Sequence, residues 1–285
     1  MSGEPVPAQH ESEAGDPGSE SLPPVPPRTA REVLLLILIG AIGGLLSGAF
    51  GVGGGIIMVP LLTTIAKLDQ RRAAATSLIA IIPAGVVGTI TYGLSGHVDL
   101  VAAVLIAAGG VAGSYIGTRL LHRLSIRWLR WLFIGMLLLV TVRLFLEVPV
   151  RSGVIVLSPV SIAGLVLLGL VMGIASGLFG IGGGVIVVPI LVALFGAGDL
   201  LAKGTSLLAI IPGAVTGTVR NARAGVVDVI DGAIVGLTAA AASFAGVAIA
   251  TALSPRLATI LFAALLLAAI VQLVVRAIRD ERRRS

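Results

Sequence analysis

Apolar residues run along this chain in long blocks, and polar residues are confined to short breaks between them. From Glu32 onward the blocks cover approximately residues 33–50, 55–66, 74–94, 99–120, 129–147, 160–178, 184–195, 204–219, 230–252 and 257–275. Most hold 16–23 residues, enough as helix to cross all or most of a hydrocarbon core about 30 Å thick. Segments 55–66 and 184–195 are shorter, at 12 residues each, or about 18 Å of helix. Both follow a glycine cluster, a combination that predicts half-helices or re-entrant elements.

The blocks repeat. SGAFGVGGGIIMVPLL begins at Ser47 and SGLFGIGGGVIVVPIL at Ser176, an offset of 129 residues. Thr76-Ser77-Leu78 and Pro83 recur as Thr205-Ser206-Leu207 and Pro212, and Gly96 with Val98-Asp99 recurs as Gly225 with Val227-Asp228, all at that offset. A shared hydropathy rhythm cannot make Pro, Asp and Gly coincide, so the chain is a tandem duplication of a five-segment unit. The expected organisation is a tail over 1–31, one membrane repeat over 32–150, a second over 151–276, and a basic C-terminal tail over 277–285.

Charge orients the repeats. If all ten segments cross or dip through the membrane, the halves are inverted and 16 of the 20 Lys/Arg collect on the side of both termini. Only Arg143, Arg151, Lys203 and Arg256 then fall outside. If each short segment merely folds back, the halves are parallel and the split is 11 to 9. The excess of Lys/Arg in cytoplasmic loops favours the inverted arrangement. The predicted fold is therefore an all-α polytopic membrane protein of two inverted five-segment repeats. It has about eight full spans plus two short broken or re-entrant helices, with both termini cytoplasmic and the chain in the plasma (inner) membrane.

Composition narrows the function. The 285 residues are 56% hydrophobic and 12% charged, with mean hydropathy +1.08 and no cysteine. Soluble domains carry about twice that charged share, which excludes a soluble enzyme, a disulfide scaffold and a free-standing nucleic-acid module. Residues 1–30, rich in Pro, Glu, Ser and Gly, have little to bury and read as a disordered solvated leader, with a regulatory tail as the alternative. No HExxH motif occurs, and His10, His97 and His122 fall in the tail or between apolar blocks. The sequence thus points to no enzyme, no metal site and no cofactor.

The residues that carry chemistry lie around the glycines. Gly51-Val52-Gly53-Gly54-Gly55 and Gly180-Ile181-Gly182-Gly183-Gly184 each separate a long apolar block from a short one. Glycine lets the chain turn through positive φ and lets successive N–H groups face one cavity, while a helix start there carries partial positive charge. An anion site made by Gly53, Gly54, Gly55, Gly182, Gly183 and Gly184 is one reading; a tight helix reversal against a neighbour is the other. Thr76, Ser77, Thr205 and Ser206 open the following spans and serve either as donors to that anion or as helix caps. Pro60 and Pro189 either start the short helices or free a carbonyl. Asp99 and Asp228 read as caps, with proton coupling as the alternative, His97 as a surface loop residue, and Arg143 as a snorkelling cation that Glu147 can pair. Glycines every fourth residue, at 40, 44, 48, at 169, 173, 177 and at 109, 113, 117, make smooth ridges for helix contact.

GAFGVGGGIIMVPLL and GLFGIGGGVIVVPILVALFG, each followed by Thr-Ser-Leu and then Gly-x-Val-Asp, resemble the TauE/SafE family of sulfite-exporter-type membrane transporters over about residues 33–276. The resemblance implies transport of sulfite, sulfate or an organosulfonate; it supplies no set of binding residues, and the long acidic leader departs from the family pattern. A secondary transporter of a small inorganic or organosulfur anion leads, driven by a coupling proton or sodium ion through alternating access. A passive small-anion or solute channel and a non-transporting membrane scaffold are the competing functions.

Overall fold

The computed structural model describes residues 29–146, 153–226 and 228–282. The leader over 1–28 and the partner foreseen for Arg143 at Glu147 lie outside them. Ten helices follow in order: α1 Ala30–Phe50, α2 Gly55–Thr64, α3 Gln70–Leu94, α4 Leu100–Arg123, α5 Ile126–Leu146, α6 Pro159–Phe179, α7 Gly184–Phe195, α8 Asp199–Arg223, α9 Val229–Ala252 and α10 Pro255–Arg282. Among the described residues there is no strand, and seven helices are long and apolar enough to cross a membrane. The short α2 and α7, with 10 and 12 residues, fall where the glycine clusters foretold them.

Local chemistry sets most ends. Thr29 and Glu32 form a reciprocal capping box on α1, and Ser158 with Ser161 does the same for α6. Asp99 and Asp228 accept N–H bonds at the starts of α4 and α9, as the caps they were expected to be. Two expectations need correction. Helices α3 and α8 begin at Gln70 and Asp199, four or five residues before the apolar blocks, because Asp69 caps the first and the opening turns bury polar side chains against protein. Thr76-Ser77 and Thr205-Ser206 therefore sit about two turns into α3 and α8 and do not cap those helices. Pro60 and Pro189 lie inside α2 and α7, where Gly55 and Gly184 are the first residues. Each proline withholds the N–H that would close the preceding turn.

The glycine ridges fix the packing. A Cβ on Gly40, Gly44 or Gly48 would strike the backbone of Val235, Ala239 or Ser243, so α1 and α9 run parallel at close approach. Gly109, Gly113 and Gly117 meet Val166, Leu170 and Ile174 in the same way, joining α4 to α6 in parallel. Gly232 and Gly236 lay α9 along α3 beside Ile79 and Pro83, and Gly213 with Gly217 lays α8 along α4. Across the centre the order reverses. Gly204 faces Tyr92, Gly88 faces Leu207 and Gly217 faces Leu78, so α3 and α8 run antiparallel. The bundle thus holds two groups of three parallel helices, α1-α3-α9 and α4-α6-α8, each mixing elements of both repeats. Its outer surface carries Leu34, Leu38 and Ile42 of α1 and Leu237 and Phe244 of α9, an apolar exposure suited to lipid.

The ridges give a direct test. Gly44→Ala and Gly173→Ala drive a methyl into the carbonyl oxygens of Ala239 and Gly110, and each is expected to cost about 1–3 kcal/mol. Gly135 has nothing near its would-be Cβ, so Gly135→Ala leaves stability unchanged or raises it by up to about 1 kcal/mol. Melting of the purified variants in one detergent separates the two classes. Equal midpoints for all three would refute the close-packed ridges.

Candidate functional site

The two glycine loops meet at the centre of the bundle. Helix α1 stops at Gly51 with φ 69°, and α6 stops at Gly180 with φ 71°. Gly53 and Gly54 (φ 79° and 75°) and Gly182 and Gly183 (φ 77° and 79°) keep the left-handed backbone that turns each loop into the next helix. The loops then run past each other in opposite directions. Gly55 lies on the carbonyl of Gly180 and on Ile181, while Gly184 lies on the carbonyl of Gly51 and on Val52. Gly53 and Gly182 both face Ile81 and Ile210, which are buried along with Val52, Ile56, Ile181 and Val185. A side chain at Gly55 or Gly184 would separate the strands of this crossing.

Backbone donors gather there. The carbonyl of Gly54 accepts from the N–H groups of Ile57 at 3.1 Å and Met58 at 3.0 Å, and that of Gly183 accepts from Ile186 at 3.0 Å and Val187 at 3.2 Å. Neither N-cap has a side chain to satisfy the earlier N–H groups. Among the described residues, the N–H groups of Gly53, Gly54, Gly55, Gly182, Gly183 and Gly184 make no hydrogen bond. Two short helices therefore open with unpaired donors and positive dipole ends in a low-dielectric interior.

The predicted hydroxyls reach this region, with different duties. Ser206 Oγ donates to the carbonyl of Gly51 at 2.9 Å, and Ser77 Oγ donates to the carbonyls of Gly180 and Ala74. Each serine thus holds the loop of the other repeat. Thr205 Oγ1 accepts the Asp99 N–H at 2.9 Å, and Thr76 is buried next to Ser77 on α3. Sequence reasoning passed over several polar groups close by. Ser47 and Ser176, one turn before the loops, and Asn221 on α8 are buried with side-chain atoms lacking a partner. His97 lies in the loop between α3 and α4, half-buried, with its carbonyl against Gly204. Lys203 Nζ is 3.0 Å from both carboxylate oxygens of Asp199, and both side chains are buried. The available signal was an Asp and a Lys four residues apart, next to an apolar block. At the end of the bundle where α1, α3 and α9 begin, a cavity of about 650 Å³ is lined by Arg31, Lys67 and Arg72 and by Glu32, Asp228 and Asp231.

Comparison with known proteins agrees with the architecture. The family model described as "Sulfite exporter TauE/SafE" matches residues 11–144 and 165–285. "Probable membrane transporter protein YunE" of Bacillus subtilis (strain 168) is 29% identical over 222 residues, which is 68% of this chain and 80% of that protein. A "Probable membrane transporter protein" of Haemophilus influenzae is 30% identical over 178 residues, 56% of this chain and 63% of that protein. "Probable membrane transporter protein YdhB" of Bacillus subtilis (strain 168) is 34% identical over 83 residues, 29% of this chain and 34% of that protein. No solved structure matches the chain.

The serine clamps are separable from the loops they hold. Ser77→Ala and Ser206→Ala each leave a buried carbonyl without its donor, at an expected cost of about 1–3 kcal/mol. Because the two bonds serve different carbonyls, those of Gly180 and Gly51, the double variant is expected to lose more than either single one. Denaturant titration in detergent measures both. Wild-type stability in the double variant would mean that the clamps hold nothing.

Proposed function

The chain belongs to the sulfite exporter TauE/SafE family of membrane transporters, and from that premise we propose a secondary transporter for a small sulfur-containing anion. The substrate class is sulfite, sulfate or an organosulfonate, and it is carried across the plasma membrane by alternating access under a proton or sodium gradient. One observation carries the reading: two glycine loops cross at the core, and each leads into a short helix with unpaired N–H groups. A sulfur oxyanion presents several acceptor oxygens around one centre, which suits the unpaired N–H donors of a helix start. Backbone N–H groups of Gly53–Gly55 and Gly182–Gly184 are the ligands in this reading. Ser77 and Ser206, whose protons go to loop carbonyls, shape the site together with Thr76 and Thr205.

Helix directions support an inverted pair of repeats. Helix α1 belongs with α3 and α9, whereas its counterpart α6 belongs with α4 and α8, and the two groups meet where α3 crosses α8 in the opposite sense. Rocking of one group against the other about that seam would expose the glycine crossing to each side in turn. The clustering of Lys/Arg assigns the starts of α1, α3 and α9 to the cytoplasm. Arg31, Lys67 and Arg72 then lie at the inner mouth, interspersed with Glu32, Asp228 and Asp231.

Two measurements test this. Thermal stabilisation of the purified protein across sulfite, sulfate, thiosulfate and small organosulfonates identifies the ligand. At the loops, Gly53→Ala and Gly182→Ala place a methyl against the flexible ends of Ile210 and Ile81 while forcing a left-handed alanine, worth about 1–2 kcal/mol. Passed to the ligand, 1.4 kcal/mol weakens affinity roughly tenfold. Wild-type binding by both variants would remove the loops from the site. For orientation, single cysteines at the exposed Lys67 and Ala224 should label from one side, and those at the exposed Ser95 and Ser254 from the other. Labelling of Lys67 with Ser254 from one side, and of Ser95 with Ala224 from the other, excludes inversion.

A further inference from the structure

Asp199 and Lys203 form a buried ion pair in the first two turns of α8, at the end of the bundle opposite the starts of α1, α3 and α9. Sequestering two charges is expensive, and in a membrane protein such residues are normally retained for a task. The duplication shows that the fold does not require them. At the same places in the first repeat stand Gln70 and Ala74, and α3 starts there without any ion pair. Lys203 also touches the start of one glycine loop. Backbone and Cβ of Lys203 press on Gly51, where a side chain would collide with them, and Gly51 gives its carbonyl to Ser206. The ammonium group lies one turn earlier on α8, against Asp199, at the end of a flexible side chain that starts from this contact.

We propose that Lys203 is a ligand for the transported oxyanion, held in reserve by Asp199, and that protonation of Asp199 transfers the ammonium group from the carboxylate to the anion at the Gly51–Gly55 loop. This rests on the glycine crossing being the anion site. The exchange balances. A proton from water on that side of the membrane binds the carboxylate, Lys203 stays an ammonium, and the anion replaces Asp199 as its partner; release reverses the three steps. One proton therefore enters the site with each anion, and a monoanion is carried in a site with no net change of charge. A neutral Asp199 with an occupied Lys203 also avoids leaving an unpaired charge during the movement. Ionisable residues on the adjoining elements that meet Gly204 or Thr205 of α8 are Tyr92, His97 and Asp99. The Tyr92 hydroxyl donates to the carbonyl of Gly48, and the Asp99 carboxylate caps α4. His97, whose carbonyl lies against Gly204 and whose Nδ1 is buried without a partner, is the rival proton carrier and must be tested beside Asp199.

Sulfate and methanesulfonate are suitable probes, since both keep their charge through the neutral range and any pH dependence belongs to the protein. Thermal-shift titrations of the full chain in detergent should give tighter binding in acid than in alkali, with proton uptake from a weakly buffered solution on addition of the probe. Asp199→Asn should bind either anion at all pH values as the wild type does in acid, and should take up no proton. The double variant Asp199→Asn with Lys203→Gln keeps a hydrogen-bonded pair of the same size. It should melt like the wild type without ligand and bind about tenfold or more weakly, whereas Lys203→Arg retains binding. A purely structural pair predicts the opposite, namely full binding and an unchanged pH profile in the double variant, and that result overturns the proposal. So does a pH dependence that survives Asp199→Asn and disappears in His97→Gln. If the wild type binds none of the sulfur anions at any pH, the anion reading of the loops itself fails and this inference with it. Binding by the wild type together with an unaffected double variant sinks only the role of Lys203.

Discussion

The structure depends on one constraint: a helix broken inside an apolar bundle must find partners for the backbone groups that the break exposes. In water these groups are solvated at little cost, but in a protein or lipid interior each unpaired one costs several kcal/mol. Here α1 and α6 both end at a left-handed glycine within the core. The carbonyls exposed at Gly51 and Gly180 are taken by serines 155 and 103 residues away in sequence. Each repeat repairs the break of the other, so neither can hold its own glycine loop alone. The N–H groups at the starts of α2 and α7 are the part of the account left open, and the functional reading grows from that residue.

Small residues make this exchange geometrically attainable. The ridges of α1 and α6 bring backbones together with α9 and α4 at distances where no Cβ fits. In lipid the usual hydrophobic gain between helices is missing, so association rests on such close van der Waals contact. The same economy operates at the crossing, where Gly55 and Gly184 let the two loops touch. Serines, threonines and the buried Asp199–Lys203 pair then supply the polar specificity that an all-aliphatic core lacks. The ion pair distinguishes one end of the bundle from its pseudo-equivalent, where Gln70 and Ala74 stand.

Sequence alone determined whatever is encoded within a few turns of chain. The apolar blocks located ten helices, the 12-residue blocks located the two short ones, and the glycine triplets located the breaks, because hydropathy and backbone freedom act locally. The 129-residue offset disclosed the duplication, and the four-residue glycine spacing disclosed the packing ridges, although not their partners. Tertiary structure alone decided that α1 lies on α9 and α6 on α4, that Ser77 and Ser206 reach across to the opposite repeat, and that Asp199 and Lys203 are buried together. It also drew α3 and α8 back to Gln70 and Asp199 and put Pro60 and Pro189 inside helices. Those outcomes depend on which surfaces meet at more than a hundred residues of separation, and in a low-dielectric interior the neighbour, not the residue type, decides whether a hydroxyl caps, clamps or binds.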